Sequence, residues 1–536
     1  MSSASDIAGP SSFPASNASP ETLQWIGVTP RQLAGFIAMV FGMFMAILDI
    51  QIVSASLSEI QAGLSASADE IPWVQTAYLI AEVIMIPLSG FLARALSTRV
   101  LFLSAAIGFT AASALCATAT TIDQMIVYRA LQGFIGGGMI PSVFAVAFSL
   151  FPPSKRNVVS PIIGLVATLA PTIGPTVGGY LTNSFSWHWL FLVNIIPGIL
   201  VSISVYFLVD FDKPDHSLFK RFDFIGLGSM AVFLGSLEYV LEEGPRYDWF
   251  DDATIATFGV LTVIGAVVFF WRALTARYPI VELRAFRNRN FAFGSAFSFT
   301  LGIGLYGLTY IYPVYLAQVR GYDALMIGET MFVTGVAMFL TAPIAGRLSQ
   351  FLDARVLLMI GFAGFATGTY LTTAITSDWD FWELFVPQIL RGCSLMLCMV
   401  PINNLSLGTL PTDQLKNASG LFNLTRNLGG AVGLAMINTV LNKRLDLHLE
   451  RLHESVSWGR DVALDQLSKM QQSVSQALPD GDLAAMKQLS MLVRKQANVM
   501  SFADLFLLLT VLFAGAALLT LMMAKPSDVP AGSGGH

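Results

Sequence analysis

Apolar residues come along this chain in blocks of about 20 separated by short polar connections, the length a helix needs to cross roughly 30 Å of hydrocarbon. Windows bounded by charges, Gly or Pro place these blocks at 34–57, 72–93, 100–118, 122–149, 160–181, 188–209, 222–241, 253–273, 291–317, 324–345, 356–376, 381–409, 417–441 and 502–523. The pattern predicts an all-α membrane protein with fourteen transmembrane helices. Segments of about ten residues with alternating polarity, which a transmembrane β-barrel requires, are missing.

Lys and Arg orient the spans, because positive charge in short loops is retained on the cytoplasmic side. One set of alternate connections carries Arg94 and Arg99, Lys155 and Arg156, a basic series from Lys213 to Arg289, then Arg347, Arg355 and Lys416. The opposite short loops carry only Arg246 and Arg320, so both termini are expected in the cytoplasm. Residues 1–33 are rich in Ser, Ala and Pro without a basic n-region, and predict a disordered cytoplasmic tail with no cleavable signal. Residues 524–536 form a second tail. The connection 442–500 is polar and mixed in charge, with Leu445, Leu449, Leu452 and Val456 at near-helical spacing. It should lie outside, either as a solvated helical hairpin or as a docking surface for an extracytoplasmic protein.

Composition narrows the class. Of 536 residues, 54% are hydrophobic and 12% charged, about half the charge of an average soluble protein, and mean hydropathy is +0.65. A net charge of -5 with no basic aromatic-interleaved patch sets nucleic acid aside. Cys116, Cys393 and Cys398 fall inside apolar blocks without a CxxC pair, and read as packing residues. No GxxxxGK[ST] loop is present for an ATP-driven pump, and no metal cluster or nucleophile–base pair suggests an enzyme. No cofactor is expected.

Self-comparison reveals a repeat. Pro87-Leu88-Ser89-Gly90-Phe91-Leu92 followed by Arg99-Val100-Leu101 recurs as Pro343-Ile344-Ala345-Gly346-Arg347-Leu348 followed by Arg355-Val356-Leu357. Gly133 and Pro152 share their spacing with Gly392 and Pro411, and Gly174 with Gly178 is echoed by Gly429 with Gly433. The chain thus divides into a six-helix bundle at 34–209, a linker with two inserted helices at 210–290, and a second six-helix bundle at 291–523. Parallel halves related by an axis along the membrane normal predict a rocking transporter with its substrate site between them.

Ionisable residues at membrane depth are functional candidates, since each costs several kcal/mol unless paired or facing water. Asp49 in span 1 and Arg129 in span 4 lie at a similar depth, roughly 12 Å from the outer ends of their spans at about 1.5 Å per residue. They form either a proton-coupling pair or a permanently ionised structural one. Burial disfavours the charged carboxylate and the guanidinium favours it, so water access could tip the balance. Glu82 in span 2 is a second protonatable candidate or a contact for a cationic substrate, while Glu329 sits nearer the outer end of span 10 and within reach of interfacial water. Arg391 and Arg426, with Asn403, Asn404 and Asn423, make the interior of the second half more basic; they serve polar substrate groups or hydrogen bonds between helices. Met43, Tyr306 and Tyr310 offer thioether or aromatic surface for flat apolar molecules, or simply pack the core. In span 5, Gly164, Gly174, Gly178 and Gly179 allow close helix approach, while Pro171 and Pro175 remove amide donors and invite a bend.

These residues resemble a known family. Tyr128-Arg129-Ala130-Leu131-Gln132-Gly133 resembles motif B of the major facilitator superfamily, and Gly164 through Leu181 resembles its antiporter motif C. Leu48-Asp49-Ile50-Gln51-Ile52-Val53 is similar to the first-span acidic motif of the fourteen-spanner drug/proton antiporter branch. Trp187-His188-Trp189 leading to Asn194-Ile195-Ile196-Pro197-Gly198, Asp248-Trp249-Phe250 and Pro279-Ile280-Val281-Glu282-Leu283 are similar to its EmrB-like inner-membrane subunits. The resemblance implies a major facilitator fold and proton-driven export of amphipathic or hydrophobic toxic compounds across a bacterial inner membrane. It gives Asp49 and Arg129 the coupling roles and span 5 that of guarding against leak, and makes the proton the coupling ion; the position of Glu82 suits it to assist. It also implies membrane lipid as surroundings and, as partners, a periplasmic adaptor and an outer-membrane channel, which would give loop 442–500 a role. The loop after span 2 departs from the pattern: Arg94 stands where the family has an acid and Ser97 where it has a second Gly, so the usual charge latch lacks its acid there. A dedicated exporter of one metabolite, lipid or siderophore, and a receptor that moves no solute, are the alternatives.

Overall fold

The computed structural model describes residues 27–456, 460–474 and 481–522, so most of the expected N-terminal tail and all of the C-terminal one lie outside the described residues. Thirteen of the described helices are long and apolar enough to cross a membrane. With the helix Leu415–Ser455 they make the fourteen spans: α1 (Pro30–Ser54), α2 (Trp73–Leu96), α3 (Thr98–Ala117), α4 (Ile122–Leu150), α5 (Pro153–Ser184), α6 (Trp189–Leu208), α7 (Phe224–Glu243), α8 (Ala253–Thr275), α9 (Arg289–Arg320), α10 (Leu325–Phe351), α11 (Ala354–Thr372), α12 (Phe381–Leu407), α13 (Leu415–Ser455) and α14 (Leu483–Met522). Local chemistry sets the first boundary, inside the stretch expected as tail. Pro30 opens α1, Thr29 Oγ1 accepts from the Gln32 amide at 3.2 Å, and Gln32 Oε1 accepts from the Thr29 amide at 3.0 Å, a reciprocal cap.

The repeat in sequence is a repeat in packing. In the first lobe α1 packs on α5, α2 and α3 on α4, and α3 on α6; in the second α9 packs on α13, α10 and α11 on α12, and α11 on α14. The lobes meet along two matching crossings, α2 with α13 and α10 with α5. Gly90 and Gly346, paired by the sequence repeat, lie at those crossings. A Cβ on Gly90 would stand 2.8 Å from Lys416 O, and one on Gly346 2.7 Å from Asn157 O, so only glycine permits the backbones to approach this closely.

The inserted helices α7 and α8 pack on each other, and α7 also contacts α2 and α13. Within its apolar window α8 is 17% buried, against 78% for α4, so α8 turns toward lipid while α4 sits inside its lobe. Helix α13 is the least apolar span, with Asn417, Asn423, Arg426 and Asn427 in its membrane half, and it is enclosed by α2, α4, α9 and α14. Protein neighbours rather than acyl chains meet these polar groups, which is why the membrane tolerates them.

Helices α13 and α14 run on well past the apolar blocks that predicted them, so much of 442–500 is helical. The projecting ends are joined where His448 Nε2 lies 2.9 Å from Asp504 Oδ2, and the helix Asp461–Val474 packs on the helix Gly481–Leu519, which contains most of α14.

The face carrying the basic loops is closed by bonds between lobes. Asp212, beyond α6, accepts from the Thr98 amide at 3.0 Å and from Thr98 Oγ1 at 2.9 Å, capping α3, and it also pairs with Lys416 of α13. Lys416 Nζ donates to Ala93 O at 3.0 Å, Arg156 Nη1 to Gly408 O at 2.9 Å, and Asn404 Nδ2 to Asn157 Oδ1 at 2.9 Å. Arg94, the residue in place of the motif's acid, pairs at 2.5 Å with Glu282, whose backbone carbonyl and amide bond to the Asn417 side chain. The latch is present, its acids supplied by the connections at 212 and 282.

Candidate functional site

The first lobe holds a charge pair sealed from solvent. Arg129 Nη1 donates to Asp49 Oδ2 at 2.7 Å, and both side chains have zero exposure. Three further helices, α2, α3 and α6, and Gln132 of α4 itself hold them. Asn194 Nδ2 donates to Asp49 Oδ1 at 2.6 Å and Gln132 Nε2 to the same oxygen at 3.2 Å. Ser113 of α3 accepts from Gln132 at 2.7 Å and from Asn194 at 3.3 Å, fixing both amides. Arg129 Nη1 also donates to Gln132 Oε1 at 2.6 Å and Nε to Val74 O at 3.2 Å, while the guanidinium lies over the Tyr78 ring at 4.3 Å. Gly133, one turn past Arg129, lets α4 reach that depth: a Cβ there would meet Tyr78 O at 2.3 Å. Among the described residues Arg129 Nη2 has no partner.

This arrangement links protonation to packing. With Asp49 ionised the site is close to neutral and its hydrogen bonds are made. A proton on Asp49 would remove the charge Arg129 is paired with and leave a buried guanidinium uncompensated, which costs several kcal/mol unless the helices move or water enters.

Glu82 is not part of this cluster. It is 3% exposed and faces a narrow, open cleft between α1, α2, α7, α9 and α13, with Glu238, Glu242, Tyr306 and Asn427 on the same walls. Tyr306 donates its hydroxyl to Asn427 Oδ1 at 3.2 Å. Arg426 and Asn423 bond to each other on α13, and the guanidinium lies 4.9 Å from the Phe144 ring of α4. Met43 is fully buried in the apolar core, and Glu329 is exposed on α10. Tyr310 donates to Asn438 Oδ1 at 2.8 Å and lines a separate cleft with Arg494 and Lys495.

On α5 the small residues make the contacts that their spacing suggests. A Cβ on Gly174 would lie 2.3 Å from Gln51 Cβ, and one on Gly178 2.8 Å from Ile52 O, so α5 and the end of α1 that carries Asp49 are in backbone contact. Gly164 faces Met399 of α12, Gly179 is half-buried, and α5 continues as helix through Pro171 and Pro175.

Gln132, Asn194 and Ser113 were not singled out by sequence reasoning, although Gln132 and Asn194 lie in quoted motifs; neutral polar residues are too common in spans to stand out singly. Glu238 and Glu242 did carry a signal, two acids one helical turn apart on an otherwise apolar span.

Residues 39–434 match the family model of the Major Facilitator Superfamily. The chain is similar to the colistin resistance protein EmrB of Acinetobacter baumannii, with 44% identity over 94% of this chain and 98% of that protein. It is 30% identical to the fatty acid resistance protein FarB of Neisseria gonorrhoeae, over 92% and 96% of the two, and 30% identical to the multidrug export protein EmrB of Escherichia coli, over 78% and 82%. Among solved structures, the proton:xylose symporter XylE aligns with a TM-score of 0.57 and 14% identity over 93% of this chain and 96% of its own, a likeness of fold.

Proposed function

This chain belongs to the major facilitator superfamily, among its EmrB-type export proteins, and from that premise we propose that it is a proton-coupled antiporter expelling amphipathic or hydrophobic toxic compounds. That it is a multi-pass transporter follows from the family and the fold; the proton and the passenger are the proposal. The observation that carries it is the Asp49–Arg129 pair, the one fully buried ion pair among the described residues, wedged where α5 presses on α1.

In this reading a proton reaching Asp49 weakens its hold on Arg129 and favours one tilt of the lobes, while the compound bound between the lobes favours the other. Glu82, in the neighbouring cleft, assists by taking or relaying the proton. Each charge crossing the membrane contributes about 2.3 kcal/mol per 100 mV, enough to drive export against a gradient of more than tenfold. The membrane is a bacterial inner membrane with both termini in the cytoplasm, as the basic face proposes. The helices projecting from the opposite face are the proposed seat of a periplasmic adaptor that leads to an outer-membrane channel.

Proteoliposomes with an imposed acid difference test the coupling directly. The Asp49→Asn variant should insert and bind compound but show no gradient-driven flux, a loss of at least a hundredfold. Wild-type rates from that variant would remove Asp49 from the mechanism.

A further inference from the structure

The cleft that holds Glu82 contains more carboxyl groups than the coupling scheme uses. Glu238 and Glu242 come to it from α7, a helix outside both lobes. Glu82 and Glu238 are 3% and 5% exposed, and among the described residues neither these two nor Glu242 has a hydrogen bond or an ion pair. Their neighbour Glu243 shows the contrast: it accepts from Thr76 at 3.1 Å and lies 3.9 Å from Arg246. The acid that local donors can satisfy is satisfied, and the others face one shared space.

A buried carboxylate without a donor is unfavourable, and three around one cleft cannot all be ionised without a counter-charge. Of the basic side chains on this side of the molecule, Arg129 is paired with Asp49, and Arg426 is occupied by Asn423 and by the Phe144 and Phe422 rings. The rest of the lining suits an apolar body: Leu79, Val83 and Leu434 are aliphatic, and Tyr306 presents a ring whose hydroxyl is held by Asn427.

We infer that this cleft binds an organic cation with an apolar body, and that the inserted helix α7 contributes to recognition through Glu238 and Glu242. The inference rests on the export reading only in taking that cation as a passenger; binding itself requires no gradient.

Equilibrium binding of radiolabelled tetraphenylphosphonium to the purified full chain tests it, with tetraphenylborate as an anion of the same shape. Saturable phosphonium binding is expected, weakened at least tenfold in E238Q and less in the more exposed E242Q, with no competition from the borate. Unchanged phosphonium affinity in both variants, or equal displacement by the borate, would overturn the site. Because a variant can fail to assemble, photolabelling of the wild-type chain with an aryl-diazirine phosphonium is the second measurement. Label within the segments bearing Glu82 or Glu238 and Glu242 supports the site, and label found only elsewhere, or none, overturns it. Asp49→Asn separates this from the coupling role: normal phosphonium binding with flux lost upholds both, and flux retained with binding dependent on Glu238 ends the coupling role alone.

Discussion

The two lobes carry the same pair of side chains in opposite order. On α4 the sequence is Arg129, then Gln132 and Gly133; on α12 it is Gln388, then Arg391 and Gly392, at the same spacing. In the first lobe the arginine meets a carboxylate from α1. In the second, Arg391 Nη2 donates to Thr309 Oγ1 at 2.5 Å and Nη1 to Gln388 Oε1 at 3.3 Å, with Tyr312 5.7 Å from the guanidinium. Thr309 lies on α9, the counterpart of α1, so a hydroxyl stands in for the acid. Duplication has produced one site whose net charge a proton can change and another whose charge is fixed, because an arginine does not deprotonate in the working range. Asymmetry between otherwise matching halves is what a directional machine requires.

The sharpest way to break this contrast is to remove each arginine. Arg129→Met strands a buried Asp49 and should destabilise the fold by about 3–5 kcal/mol. Arg391→Met strands only neutral partners and should cost about 1–3 kcal/mol. Denaturation of the purified variants gives both values, and equal losses would mean that the carboxylate makes no difference between the lobes. A smaller effect separates the two loops that follow α2 and α10. Asp212 caps α3 from a distant connection and also holds Lys416 of the other lobe, whereas Asp353 caps α11 and pairs with Arg355 two residues away. Asp212→Asn should therefore raise the alkylation rate of a cysteine placed at Ser419 on α13 at least threefold. Asp353→Asn keeps the cap, since asparagine caps a helix as well as aspartate does, and should leave that rate unchanged. A threefold rise from Asp353→Asn as well would show that the latch is not specific to the first lobe.

Much of this was legible in the sequence, for identifiable reasons. A crossing helix must be apolar over a fixed length, so the spans announce themselves, and charges inside them, Asp49 and Arg129 above all, stand out against that background. The glycines at the lobe crossings were legible because duplication preserved Gly90 and Gly346 in the same setting. The latch was not, because Asp212 lies in a polar connection where an acid is unremarkable, and only folding carries it to Thr98 and Lys416. The contribution of α7 was missed for a related reason: Glu238 and Glu242 near a span end look like interfacial residues until α2 and α13 close over them. The outward extensions of α13 and α14 lack the apolar blocks that mark a span, so hydropathy ended those helices where the membrane ends.

Helix α13 runs for 41 residues, roughly 60 Å at about 1.5 Å per residue, without a proline or a break. Near one tip is Lys416, engaged with Asp212; some nine turns along is His448, engaged with Asp504 of α14. A stiff rod of that length acts as a lever arm. A few degrees of swing at the latched tip become several ångströms of travel at the far one, so the proposed partner, if seated there, would feel which way the transporter is open without a signal passing through any joint.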